Sequence, residues 1–305
     1  MPLRIEPLPR MAGHLPFMRG RLARLDDVGL GMVVAFGLPS VVNGRTDLAP
    51  LAMRETSAYF GSHFNANMKS AMDIDQRQIL RSADVASSMV DLGDLRPDPS
   101  TGTFEVAIRR TIAHIREKDA IPLLLGGDQG CLSSVLAGLR MSEPSSNGIA
   151  ALILSDASEL PLLQANDVAC VFSASPKEHG DPAIMSLAFR DLRQRFESHL
   201  ELILRHITQR PVHVALDASA IASHWHGAST NADFEGLSLS ECRRLFRQLG
   251  VANIASLSIT GLDPTINGLS LVKTGQRLLL TAILDLIYAR LGVLEARLET
   301  SHVCI

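Results

Sequence analysis

Ile121-Pro-Leu-Leu-Leu-Gly-Gly-Asp-Gln-Gly130 is an apolar run that ends in two glycines and a polar pair. A continuous apolar run closed by glycine predicts a strand buried on both faces. The Gly-Gly turn then leads into a helix from Cys131 to Met141. Just upstream, Thr103 to Lys118 sets Phe104, Ala107, Ile108, Ile112 and Ile115 at helical spacing, with Arg109, Arg110, Arg116 and Glu117 elsewhere. That spacing predicts an amphipathic helix. Apolar runs at Gly29–Gly37, Ser88–Asp94, Ile149–Leu154, Val168–Phe172, Pro211–Leu216 and Ile254–Ile259 predict further strands. Helices are expected at Leu51–Tyr59, with Arg54 and Glu55 on its polar side, and at Met185–Ile207, Leu239–Leu249 and Leu269–Arg297. Ser238 or Ser240 would cap the Leu239 helix. Strands alternating with helices predict an α/β fold, three αβα layers around a mostly parallel central sheet. Residues 1–27, with Pro2, Pro7, Pro9 and Pro16, read as an irregular N-terminal arm, and residues 28–305 as a single domain.

Composition narrows the function classes. The 305 residues are 46% hydrophobic but only 4% aromatic, so the core is aliphatic. A formal net charge of −3 with no basic block argues against a nucleic-acid surface. Cys131, Cys170, Cys242 and Cys304 are widely spaced and form no CxxC pair. Free thiols in a reducing compartment fit this better than a disulfide frame. The N-terminus has no apolar run suited to a signal peptide, so a cytoplasmic location is expected. The apolar stretch from Leu278 to Leu294 is broken by Asp285 and Arg290 and reads as a core-facing helix rather than a membrane span.

Four strands end in polar clusters: Asp128-Gln129, Asp156-Ala-Ser158, Asp217-Ala-Ser219 and Thr260-Gly-Leu-Asp263-Pro264. Parallel strands end at one edge of their sheet, so these clusters should meet in one crevice. Asp and Ser at strand ends also form turns and cap helices, so the clusters by themselves do not specify an activity.

These residues resemble the ureohydrolases, the family of arginases and agmatinases. Pro122–Asp128 is similar to the family's strand and Gly-Gly-Asp-His turn, and Val90–Asp94 to its Asp-X-Gly-Asp segment. Asn43-Gly-Arg45 through Met53–Ser57 is similar to its N-terminal loop and helix. The resemblance implies an arginase-like fold and a pair of Mn²⁺ or Ni²⁺ ions held by two His and four Asp. Such a pair generates a hydroxide that attacks a guanidinium carbon.

The ligand positions depart from that pattern. Gln129 stands where the family's His follows Gly-Gly-Asp. Asp156 remains from Asp-Ala-His-X-Asp, but its His is Ser158 and its second Asp is Leu160. Asp217 remains from Asp-X-Asp, and its partner is Ser219. On the substrate side, Gly261 replaces a Glu and Asn267 an Asp. Two lone carboxylates do not hold two hard cations that normally share six protein ligands. No metal is therefore expected in this chain, and no catalytic residue is assigned.

Other candidates are weaker. His179, in His-Gly-Asp-Pro182, is similar to a family proton shuttle, and is equally well a solvated loop histidine. His224-Trp225-His226 offers two imidazoles but no third ligand, and Trp225 suits a subunit contact. Cys131 follows the turn at a helix N-terminus, a position that lowers a thiol pKa. It lacks a His base and reads as a buried structural thiol. The reading that follows is a non-catalytic subunit of a heteromeric hydrolase acting on a guanidino or biguanide compound, as in metformin hydrolase. Its partner would be a paralogous chain bearing the Ni or Mn pair, in a trimer or hexamer. The alternatives are a metal-independent or single-metal hydrolase using Asp156 and Asp217, and a module that binds guanidino compounds.

Overall fold

The chain's computed structural model describes residues 16–39, 48–57, 71–73, 78–80, 88–95, 103–143, 148–155, 170–173, 185–207, 210–221, 236–250, 252–264, 277, 280–287 and 289–290. In chain order the strands are β1 (Arg21–Leu22), β2 (Val33–Leu38), β3 (Ala71–Asp73), β4 (Gln78–Leu80), β5 (Met89–Asp94) and β6 (Ile121–Gly126), then β7 (Ala150–Ser155), β8 (Cys170–Ser173), β9 (Met185–Leu187), β10 (Val212–Asp217) and β11 (Ile254–Thr260). The helices are α1 (Ala49–Ser57), α2 (Phe104–Glu117), α3 (Leu132–Ser142), α4 (Phe189–Gln194), α5 (Phe196–Ile207), α6 (Leu239–Leu249) and α7, which includes residues 280–287 and 289–290.

Nine strands form one sheet in the order β1-β5-β2-β6-β11-β10-β7-β8-β9, with every neighbouring pair parallel. β3 and β4 form a separate antiparallel pair. The strands alternate their side chains between two cores. Val33, Ala35, Leu123 and Leu125 join Met53 of α1, Ile203 of α5, Phe246 of α6 and Ile283 of α7 on one face. Val34, Phe36 and Leu124 join Ile108 and Ile112 of α2 and Leu136 of α3 on the other. Burial on both faces is why these strands read as unbroken apolar runs. The three-layer αβα fold expected from the alternation is the one observed.

Three local expectations change. Met185–Leu187 was expected to begin a helix, but it is the edge strand β9, paired with β8, and the following helix breaks at Arg195 into α4 and α5. Three residues are too few to show a period, so only pairing reveals a strand. Arg54 was placed on the polar side of α1, yet its side chain is 1% exposed. Its partners are carboxylates on β5, which no helical pattern announces. Before residue 28, Phe17 and Met18 already lie in the core, and Arg21–Leu22 pairs with β5.

The expected cap on α6 is Ser238: its hydroxyl accepts from the Glu241 amide, and the Glu241 carboxylate accepts from the Ser238 amide. No described helix is long and apolar enough to cross a membrane.

Candidate functional site

β6, β11, β10 and β7 are consecutive neighbours, so their carboxyl ends lie side by side. At the end of β6 the Gly-Gly turn takes φ of +85° at Gly126 and +82° at Gly127. Two successive left-handed residues demand glycine. A Cβ on Gly126 would also collide with the ring of Pro50 in α1. Asp128 then accepts from the Gly130 amide at 2.9 Å and turns the chain into the short Gln129–Cys131 helix. At the end of β11, Gly261 (φ +69°) donates its amide to the Gly127 carbonyl at 3.3 Å. The two glycine turns are thus joined across the edge.

Asp217 ends β10, in register with Thr260 of β11, and is 6% exposed. Its Oδ1 accepts from the Ser219 amide at 2.9 Å and the Ser219 hydroxyl at 2.6 Å. Its Oδ2 accepts from the Thr260 hydroxyl at 2.8 Å. Hydrogen bonds to a charged group contribute about 1.5–3 kcal/mol each. Both oxygens are therefore engaged by donors from the chain itself. Gly261 lies against the same carboxylate, with both oxygens in the space a Cβ would take.

Cys131 is buried beside this edge. Burial first, then the charges of Asp128 and Asp217, push its thiol up to about 12. The helix-terminus effect expected from sequence is outweighed, and the thiol stays protonated at neutral pH.

The expected convergence holds for the described ends: Asp217, Ser219, Thr260 and Gly261 come together, with Asp128 on the adjoining turn. Asp156, Ser158, Leu160, His179, His224, His226 and Asn267 lie outside the described residues, as does the side chain of Gln129. The part played by Thr260 follows from its register opposite Asp217, which exists only after the strands pair.

Among the described residues the Asp217 carboxylate faces three donors of the chain itself, two at Oδ1 and one at Oδ2. Among the described residues no group of three His, Cys, Asp or Glu is placed to hold a metal ion.

The fold matches solved structures over nearly the whole chain. A hypothetical agmatinase from Burkholderia thailandensis superposes with a TM-score of 0.72 at 18% identity, covering 92% of each chain. This chain shares the fold of that structure. Proclavaminate amidino hydrolase from Streptomyces clavuligerus matches with a TM-score of 0.68 at 18% identity, over 92% of this chain and 99% of that one. Arginase from Bacillus subtilis matches with a TM-score of 0.64 at 16% identity, over 84% and 98%. No family model matches the sequence. No curated protein matches it either. In an open parallel α/β sheet, ligands bind outside the carboxyl ends of the strands, the edge at which Asp217 lies.

Proposed function

We propose that this chain is a non-catalytic subunit of a heteromeric ureohydrolase. It would support the assembly or active site of a paralogous, metal-bearing chain that hydrolyses a guanidino or biguanide compound to urea and an amine. The observation that carries this reading is the Asp217 carboxylate, retained on a ureohydrolase frame but engaged by Ser219 and Thr260. The replacement of ligand positions by Gln129, Ser158, Leu160 and Ser219 supports the same reading. A polar edge satisfied by neutral hydroxyls avoids the repulsion that clustered carboxylates suffer without cations.

The test is co-expression with a ligand-complete ureohydrolase chain from the same genome, in particular one encoded by a neighbouring gene. The expected result is co-purification as a trimer or hexamer, with Mn or Ni in stoichiometric amount and urea release from the complex. This chain alone should release no urea, and omitting it should reduce the partner's assembly or activity. Urea release by this chain alone in the presence of chelator would instead indicate a hydrolase built on Asp156 and Asp217. A thermal shift by a guanidino compound without turnover would indicate a binding module.

A further inference from the structure

We infer that Asp217, Ser219, Thr260 and Gly261 form one interdependent lock. In it the Asp217 carboxylate holds the ends of β10 and β11 together as a hydrogen-bond acceptor. Asp217 Oδ1 takes both donors of Ser219, from its own turn. Oδ2 takes the hydroxyl of Thr260, from the neighbouring strand. A carboxylate at position 219 would bring a second negative charge and no hydroxyl donor, so the lock requires the serine. Position 261 is coupled to the same group. A Cβ there would come within 2.5 Å of Asp217 Oδ2. The carboxylate could yield only by leaving its donors, so a side chain at 261 and the closed lock exclude one another.

Two departures from the ureohydrolase pattern, Ser219 for Asp and Gly261 for Glu, are therefore one structural event. Here Asp217 is a structural residue. This holds whether or not the chain joins a heteromer.

The test is a double-mutant cycle on the purified full chain, read by thermal unfolding. Gly261→Ala should lower Tm by roughly 5 °C in the native background and by less than about half that in Asp217→Ala, where the carboxylate is gone. Thr260→Val should lower Tm by about 3 °C in the native background and by almost nothing in Asp217→Ala. If Asp217→Ala does not fold, Asp217→Ser supplies a second background without Oδ2. Equal costs in both backgrounds would overturn the coupling.

Discussion

Arg54→Leu is expected to destabilise the fold by about 3–5 kcal/mol, because it leaves a buried carboxylate without its counter-charge. Arg54 reaches from α1 to β5. Its Nε donates to Asp91 Oδ2 at 2.7 Å, Nη2 to Asp91 Oδ1 at 3.0 Å, and Nη1 to Asp94 Oδ1 at 2.6 Å. Asp91 is 0% exposed and also accepts from the amides of Phe17 and Gly93, at 2.7 and 2.8 Å. One carboxylate thus ties the N-terminal segment and α1 to the carboxyl end of β5. Burial alone would lower the Arg54 pKa, but the hydrogen bonds and charges of Asp91 and Asp94 raise it above its ordinary value. The guanidinium is charged at any pH the fold survives.

Arg54→Lys keeps the charge but loses the planar fork that serves two carboxylates at once, so it should fall between the native chain and Arg54→Leu. Denaturant unfolding followed by circular dichroism measures both. Unchanged midpoints for Arg54→Leu would mean that the network contributes nothing net. Met53–Ser57 and Val90–Asp94 are thus joined by a buried ion pair toward the carboxyl end of β5.

The second large effect is on acid stability. His213 of β10 is fully buried, with Nδ1 2.7 Å from the Ser256 hydroxyl and Nε2 3.2 Å from the Ser258 hydroxyl, both on β11. A register shift after Val212 skips Ala255 and sets His213 opposite Ser256. Burial drives the ring's pKa down to about 3, against a small upward pull from Ser256. The unfolded chain's histidine titrates near 6.5. Below that pH the unfolded state takes a proton that the native state refuses, so stability falls as pH falls. The contribution is complete above about pH 6.5 and is lost progressively toward pH 3. The limiting slope is about 1.4 kcal/mol per pH unit, or about 2 kcal/mol between pH 6.5 and 5.

His213→Gln, which keeps polar atoms near the two serines, should remove this component. The difference in unfolding free energy between the native chain and the variant, measured from pH 7.5 to 5, isolates His213 because the other titrating groups are shared. Parallel profiles for the two proteins would refute the assignment.

Much of this architecture was written in the chain's local pattern. The apolar runs, the helical spacing in Thr103–Lys118, the Gly-Gly turn and the Ser238 cap follow from short-range chemistry, and local chemistry is what sequence spacing encodes. The identities of Gln129 and Ser219 are likewise a matter of residue type, and need no coordinates. Tertiary structure alone decided that Arg54 is buried against Asp91, that Ser256 and Ser258 face His213, and that Thr260 closes on Asp217. Each of these depends on register between elements distant in sequence, and a register is a property of paired strands rather than of either strand read by itself. Gly261 shows the boundary between the two. Its identity was visible from the start, but the carboxylate that keeps a side chain out of its place belongs to another strand.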